Sequence, residues 1–406
     1  MAAIIIIILG ILLATFLTFR IGDIFSPWFI TAGVWLAIVV MFQISTTDLY
    51  PLQSRFYTCV LIWVPMMSLT GILTYYAFPG VDCSTAAIRE EMNYSKFFFL
   101  AFYILSIVCT PLYVYKIYKV VSMFGTENLL FNLRILANAG EEDTLGKLLK
   151  YINAVNQALF IICVWKYPKI SKATLITVTI ANLMCAVAIM EKGALFFLMF
   201  TALFILYQKE KIKLRSILLW GGLAVFLFYG INILRSSTDA KQTEESTFLD
   251  FFAMYILSPP VAFEQVQEKL TPQFGSRSFA FFYAFASKMG WGNFIVEPKL
   301  QEFVQVPIPT NVYTTFQPFF EDFGYKGVAF FSSVYGVFTG WLYRQCRNGG
   351  TISRCLYAYV VEILVLQFFQ ENLILSLSLL FQYLIVFTLV LQQRVRWVAI
   401  TGKQTE

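Results

Sequence analysis

Residues 2–19 read AAIIIIILGILLATFLTF, a run without a single charged side chain. A helix that crosses a membrane needs about 20 mostly apolar residues, with a range near 17–25. The run is therefore long enough to span, and it lacks the basic start and the small-residue cleavage site of a signal peptide. We expect a membrane helix at this position, and further apolar runs of similar length follow along the chain.

The composition of the whole chain agrees with that expectation. Of the 406 residues, 58% are hydrophobic and only 13% are charged, and the mean hydropathy is +0.69. A soluble domain carries about 25% charged residues. The composition excludes a disordered protein and argues against a soluble globular enzyme. The net charge of +6 is spread in small groups between apolar runs, which is typical of membrane topology and not of a nucleic-acid-binding patch.

The chain contains no histidine, and this limits its chemistry. Zinc sites and Ser-His or Cys-His catalytic arrangements all rely on imidazole. The chain has no DxD pair, so we predict neither a metal nor a cofactor. None of the seven cysteines lies in residues 235–326, so a disulfide framework is not expected there.

Eleven stretches meet the length and composition of a membrane span, and because two of them are short the expected range is ten to thirteen. The sequence thus predicts an all-α polytopic membrane protein. The stretches are Ala2–Phe19, Trp28–Ile44, Phe56–Phe78, Phe97–Tyr115, Tyr151–Trp165, Ala173–Met190, Gly193–Tyr207, Ser216–Leu234, Gly327–Tyr343, Cys355–Phe369 and Leu373–Leu391.

Basic residues predict the orientation, because short cytoplasmic loops are enriched in Lys and Arg. One set of alternate short loops and the C-terminal tail hold 16 of the 30 Lys and Arg, which places the C-terminus in the cytoplasm and the N-terminus outside. Three regions follow. Residues 1–234 form a bundle of about eight spans with an external interfacial segment at 116–150, residues 235–326 form one large external loop, and residues 327–406 supply about three spans and a cytoplasmic tail.

The large loop holds 10 of the 24 acidic residues, which suggests a catalytic or binding region. It also contains two apolar runs, Phe248–Ser258 (FLDFFAMYILS) and Phe279–Gly290 (FAFFYAFASKMG), that are too short to span and are expected to lie as interfacial or re-entrant helices. Prolines, including Pro259 and Pro260, are expected to divide the rest into turns. The alternative is that the loop is only a structural cap over the bundle.

Several local patterns occur together in a particular order, and they resemble the O-antigen (oligosaccharide repeat unit) polymerase family of the Wzy type over roughly residues 150 to 345. The pattern at 309–327 is the most specific, and Gly336 and Gly340 follow it in the next helix. The patterns are Met190–Phe197 (MEKGALFF), Gly230–Ser237 (GINILRSS), Phe252–Val266 (FAMYILSPPVAFEQV), Phe274–Phe279 (FGSRSF) and Pro309–Gly327 (PTNVYTTFQPFFEDFGYKG).

The resemblance implies a GT-C-like glycosyltransferase architecture in the inner membrane of a Gram-negative bacterium, with the active site on the periplasmic side. Its reaction moves a growing glycan from undecaprenyl pyrophosphate onto a new undecaprenyl-pyrophosphate-linked repeat unit. The implied partners are that lipid-linked oligosaccharide, membrane lipid and, as a candidate, a chain-length regulator protein, with no nucleic acid. Three alternatives stay open: a lipid-linked oligosaccharide flippase or other transporter, an O-antigen ligase, whose family carries a loop histidine that this chain lacks, and a structural assembly protein.

Such a reaction needs positive charge for the departing pyrophosphate, because a guanidinium fork matches phosphate oxygens. The candidates are Arg235 at the external end of a predicted span, Lys192 in a turn on the same side, Arg277 in the loop and Arg134 in the external segment. For each one a structural role is the alternative. Arg235 and Arg134 would then contact lipid headgroups, and Lys192 would be neutralised by its neighbour Glu191.

The base that takes the proton of the acceptor hydroxyl must be sought among carboxylates. Asp322 is the first candidate, because it is adjacent to Glu321 and two carboxylates buried together raise one pKa. Glu264 is the second and Asp250 the third, and each could instead cap a helix or pair with an arginine. A step without a protein base is also open. Uncharged donors and acceptors for the sugar are expected from Asn311, Tyr313 and Thr314.

Overall fold

The computed structural model describes residues 1–45, 48–80, 94–122, 149–188, 193–211, 248–269, 273–298, 301–307 and 309–391. In these ranges the chain is mostly helical. Four helical segments are long and apolar enough to cross a membrane, and five more apolar helices are shorter. This agrees with a polytopic membrane protein. The number of crossings and the GT-C-like architecture stay predictions.

In chain order, the helices of the described residues are α1 (Ala2–Thr18), α2 (Pro27–Ile44), α3 (Ser54–Ala77), α4 (Lys96–Ser122), α5 (Ile152–Lys166), α6 (Lys172–Ala188), α7 (Gly193–Gln208), α8 (Phe248–Phe263), α9 (Ala280–Lys288), α10 (Gln317–Arg347), α11 (Thr351–Val365) and α12 (Leu377–Val390). Short 3-10 turns precede α5 at Leu149–Tyr151 and follow α11 at Leu366–Phe368. Strands β1 (Val304–Gln305) and β2 (Pro309–Thr310) form an antiparallel pair.

A helix occupies ten of the eleven predicted spans, and the eleventh, Ser216–Leu234, lies outside the described residues. Two boundaries differ from expectation. Helix α4 continues to Ser122, so residues 116–122 of the expected interfacial segment prolong a helix, and residues 123–148 lie outside the described residues. Helix α12 begins at Leu377 and not at Leu373. The reason is Glu371, whose carboxylate accepts hydrogen bonds from the backbone N–H groups of residues 373, 374 and 375 at 2.7–2.8 Å.

The prediction of a turn at Pro259 and Pro260 is wrong, because α8 continues through both prolines to Phe263. A proline inside a helix removes one backbone hydrogen bond, and packing compensates for the loss. The Phe263 ring is buried, and its centroid lies 5.6 Å from that of Phe316 and 5.5 Å from that of Phe320. The expected second short helix is present as α9, and none of its side chains is buried. Its position at a membrane surface stays a prediction.

Helices α3 and α10 pack against each other in parallel along most of their length, and glycines make this contact possible. Gly71 of α3 faces Gly336 and Gly340 of α10. A Cβ atom added at Gly340 would lie 2.9 Å from the Cα of Gly71 and would overlap its carbonyl oxygen. A Cβ at Gly336 would lie 2.5 Å from the carbonyl oxygen of Met67. Small residues at such positions let two helix backbones approach closely.

Contacts along this pair define two ends of the bundle. At one end, called the loop end, the N-terminus of α3 meets residues 264–266. At the opposite end, called the arginine end, the Arg344 side chain donates to the carbonyl of Phe78 at 3.0 Å and stacks on the Tyr75 ring at 4.6 Å. Arg347 pairs with Asp23 at 3.4 Å at this same end. The arginine end therefore brings together the loops that follow α1, α3 and α10. The charge pattern predicts that these three loops lie on the same, cytoplasmic side.

Candidate functional site

The segment that precedes α10 is anchored at the loop end by a buried aromatic group. The Phe316 ring stacks on Trp35 with centroids 4.5 Å apart and contacts Trp63 at 5.5 Å. Gln367 connects the same rings, because its Oε1 accepts hydrogen bonds from the indole N–H groups of Trp35 at 3.2 Å and Trp63 at 2.9 Å. The backbone N–H of Thr315 donates to the Gln367 carbonyl at 2.8 Å. These contacts hold residues 315 and 316 in place directly before α10. They therefore fix where the polar residues at the start of that helix lie.

A buried ionic network lies beside this segment and centres on Glu321. The guanidinium Nε of Arg277 lies 3.0 Å from Glu321 Oε2, and Lys269 Nζ lies 2.6 Å from Glu321 Oε1. The Gln317 amide donates to Glu321 Oε2 at 2.6 Å. Arg277 also contacts Glu297 at 3.5 Å. Arg277 and Glu321 are both buried, so the network joins three parts of the large loop to the first turn of α10.

The network bears on the role predicted for Arg277 as a pyrophosphate ligand. Its guanidinium faces two carboxylates, and the adjoining cavity, lined by Glu297, Pro298, Gln301 and Leu375, measures about 40 Å³. That volume admits only a few water molecules. A diphosphate would therefore have to displace part of the network to reach Arg277, and its role in pyrophosphate binding stays a prediction.

Asp322, predicted as the base, contacts the backbone of the FGSRSF segment. Its Oδ1 accepts a hydrogen bond from the N–H of Arg277 at 3.3 Å, and its Oδ2 accepts one from the N–H of Ser278 at 2.6 Å. The Ser278 hydroxyl in turn donates to the carbonyl of Pro318 at 3.1 Å. Both carboxylate oxygens of Asp322 thus hold a turn in place, which is a structural role of the kind expected as its alternative. A catalytic role for Asp322 stays a prediction.

Glu264, the second predicted base, caps helix α3 from a distance in sequence. Its Oε1 accepts hydrogen bonds from the backbone N–H groups of Gln53 and Phe56, both at 2.9 Å. N–H groups at the start of a helix have no partner within the helix. Arg55 reinforces the contact, because its Nη1 donates to the carbonyls of Glu264 and Val266. The guanidinium of Arg55 also lies over the Phe320 ring at 5.3 Å. A catalytic role for Glu264 stays a prediction.

A pair of Glu264 variants should separate capping from catalysis. Glu264→Ala removes the acceptor, and loss of a cap of this kind costs about 0.5–2 kcal/mol of folding free energy. Glu264→Gln keeps an amide oxygen that can still accept both N–H bonds, so we expect a melting temperature close to wild type. Thermal unfolding of the purified variants measures this. A Gln variant that melts as low as the Ala variant would contradict the capping role.

The three residues predicted to bind sugar differ in accessibility. Tyr313 is buried and donates its hydroxyl to the carbonyl of Glu302 at 3.1 Å, and Thr314 is fully buried. Burial raises the pKa of the Tyr313 phenol, with Glu321 and Glu302 adding to the rise and Arg277 opposing it, so Tyr313 stays a neutral donor. Asn311 is half-buried. Its side chain is thus the one of the three that is open to a ligand.

Three candidates for pyrophosphate binding, Arg235, Lys192 and Arg134, lie outside the described residues, as does the side chain of Asp250. The structure also reveals groups that the sequence did not single out, namely Arg55, Glu268, Glu321 as the centre of an ionic network and Gln367. Arg55 carried one usable signal, because it is a basic residue on a short loop of the side predicted to be external. Glu321 was noted only as the acidic neighbour of Asp322, and Glu268 and Gln367 carried no signal.

The chain is similar over most of its length to a protein of Escherichia coli (strain K12) named "Putative O-antigen polymerase". The two sequences are 22% identical over 371 residues. The aligned region covers 88% of this chain and 89% of that protein. No family model matches the chain. No solved structure matches it either.

Proposed function

We propose that this protein polymerises lipid-linked O-antigen repeat units. It transfers the growing glycan from undecaprenyl pyrophosphate onto a new undecaprenyl-pyrophosphate-linked repeat unit at the periplasmic face of a Gram-negative inner membrane. The observation that carries the proposal is the similarity to a protein named as an O-antigen polymerase, because it extends over nearly the full length of both chains. A chain-length regulator is a further proposed partner.

The described geometry supports the proposal in one respect. Parts of three of the five quoted sequence patterns, residues 264–266, 274–279 and 309–324, meet at the loop end beside a helical bundle. A lipid carrier would place its diphosphate at the headgroup level of such a bundle. Arg235, Lys192, Arg277 and Arg134 are proposed to stabilise the charge of the leaving diphosphate, which is a large contribution in group-transfer reactions.

The test is glycan synthesis by the purified protein. Deletion of the gene should leave the lipid-linked single repeat unit, which can be extracted and supplied to the protein in detergent. We expect a ladder of longer glycans and equal ladder formation in excess chelator, because the proposed mechanism uses arginine and lysine in place of a metal ion. Failure to elongate would overturn the proposed function. Activity that vanished in chelator and returned with Mg²⁺ or Mn²⁺ would overturn metal independence alone.

The proposed orientation gives a second prediction. The described cysteines, Cys59, Cys109, Cys163, Cys185, Cys346 and Cys355, are all buried, so with Cys83 replaced by Ser an introduced cysteine can be labelled selectively. We expect a membrane-impermeant maleimide added to intact cells to label Lys288→Cys at the loop end and to leave Lys211→Cys unlabelled. Both native side chains are exposed. If Lys211→Cys were labelled and Lys288→Cys were not, the proposed orientation would be wrong.

A further inference from the structure

Helix α10 is broken at Gly324, and the break brings several reactive groups together. Gly324 has φ 61° and ψ −150°, a conformation that essentially only glycine adopts. The Glu268 carboxylate lies directly against this residue, because a Cβ added at Gly324 would be 2.5 Å from Glu268 Oε1 and 2.8 Å from its Cδ. A side chain at 324 would therefore occupy the position that the carboxylate takes.

Tyr325 follows the break directly and is the chain neighbour of the glycine that the Glu268 carboxylate contacts. Burial raises the pKa of the Tyr325 phenol, and nearby groups act on it too: Cys59, Glu264 and Glu268 raise it, while Arg55 lowers it. The geometry places Arg55 close by as well, because the Tyr325 ring meets the Phe320 ring with centroids 5.1 Å apart and the Arg55 guanidinium lies over that same Phe320 ring at 5.3 Å. The Tyr325 side chain is also 39% exposed, so a ligand can reach it. We call Arg55, Glu264, Glu268 and Tyr325 the kink cluster.

The members of the cluster differ in how far they are already engaged. Glu264 caps α3, and Arg55 is fixed by two backbone carbonyls and the Phe320 ring. The Glu268 carboxylate is exposed and accepts no hydrogen bond and forms no ion pair within the described ranges. Glu321 and Asp322, which lie just before the break in α10, are each held by two or more donors. Of these four carboxylates, Glu268 is thus the one that can accept a proton without losing a contact that holds the fold within the described ranges.

The charge of the cluster selects its ligand. Arg55, Glu264 and Glu268 together carry a formal charge of −1, which repels a diphosphate at close range. A neutral polyhydroxyl group suits the cluster better, because carboxylates and guanidinium groups form hydrogen bonds with hydroxyls. The partly exposed ring of Tyr325 adds apolar surface for a sugar. The cluster therefore fits the sugar that receives the glycan and not the leaving lipid diphosphate.

We propose that Glu268 is the general base for the acceptor sugar at the kink cluster, an inference that rests on the proposed function. In this step the O–H bond of the acceptor hydroxyl breaks and its proton passes to the Glu268 carboxylate. The hydroxyl oxygen forms a bond to the anomeric carbon of the donor glycan. The bond from that carbon to the phosphate oxygen breaks, and its electron pair leaves on the lipid diphosphate. Arg55 positions the 264–266 segment that precedes Glu268.

The test compares elongation rates of Glu268→Gln, Glu268→Ala and a matched control, Glu302→Gln, which alters another exposed carboxylate of the same loop. The substrate is the lipid-linked single repeat unit extracted from the deletion strain. A lost general base typically lowers a rate about 10²–10⁴-fold, so we expect at least 100-fold loss in both Glu268 variants and wild-type rates in the control. Sodium formate should restore part of the Glu268→Ala rate, because a small carboxylate can replace the missing one.

The outcomes separate cleanly. Wild-type rates in Glu268→Gln would overturn the inference. Loss of rate that comes with a lowered melting temperature and no rescue by formate would also overturn it, because that result indicates a structural role. If the wild-type protein itself makes no ladder, the proposed function fails before the variants are compared.

Discussion

A Gly340→Ala variant should not yield a folded protein. The added methyl group would overlap the carbonyl oxygen of Gly71 and approach its Cα to 2.9 Å. Both obstacles are backbone atoms in the middle of a long helix, so no side-chain rotation can relieve the clash. Overpacking of a well-packed core costs about 1–3 kcal/mol, and more where nothing can move. Because this clash is between helix backbones, we expect a cost above that range, which approaches the lower end of a typical stability of about 5–15 kcal/mol.

The measurement is size-exclusion chromatography of a fluorescently tagged protein extracted in mild detergent. We expect Gly340→Ala to be lost to aggregates, and Gly336→Ala to behave similarly because its Cβ would approach the carbonyl of Met67 to 2.5 Å. Gly33→Ala is the matched control, because a Cβ at this helical glycine meets no atom within 4 Å. A monodisperse Gly340→Ala protein with a wild-type melting temperature would show that α3 and α10 do not pack in this way.

The second large effect is expected at Glu321. Its side chain is only 4% exposed, and it neutralises Arg277, which is buried as well. Among the described residues, Glu321→Ala would leave the guanidinium of Arg277 with Glu297 at 3.5 Å and the carbonyl of Pro298 at 3.4 Å. Removing one partner of a buried ion pair costs about 3–5 kcal/mol, because the other charge stays buried without compensation. The contact with Lys269 adds little to this figure, since that side chain is 57% exposed and exposed ion pairs contribute little.

A double substitution distinguishes the buried charge from simple loss of packing. Arg277→Met with Glu321→Leu removes both charges, and such replacements are often neutral or stabilising. We expect the double variant to unfold at a higher temperature than Glu321→Ala, although each changes Glu321. Arg347→Ala is the control for an ion pair with an exposed arginine, at 43% exposure, and should cost no more than about 1 kcal/mol. Equal melting temperatures for Glu321→Ala and wild type would refute the network.

The apolar runs predicted most of the helices, because a span must be long and apolar whatever it packs against. Boundaries were harder to predict. Nothing near Leu373 in the sequence shows that Glu371 takes the first three N–H groups of the expected helix. Likewise, the continuation of α8 through Pro259 and Pro260 depends on rings that lie more than 50 residues later in the chain. The local sequence correctly indicates that each proline removes a helical hydrogen bond. It does not show the distant ring contacts that compensate for the loss.

The candidate site was predictable in its composition and not in its contacts. The sequence indicated that carboxylates and arginines of the large loop would matter, and several of them do converge. It could not show that Asp322 and Glu264 bind backbone N–H groups, because their partners are 44 or more residues away. The break at Gly324 was also hidden, since FGYKG is compatible with a continuous helix. Glu268 becomes a candidate base only because its carboxylate lies against Gly324 at that break.

The parallel contact between α3 and α10 has a consequence for biosynthesis. Gly71 and Gly340 touch in the folded protein, yet the ribosome makes them 269 residues apart. At about 5–20 residues per second, α3 must wait on the order of tens of seconds in the membrane before its partner is translated. During that interval its glycine surface is open to lipid or to other helices. The cell must therefore keep an unfinished bundle from pairing wrongly until the last quarter of the chain arrives.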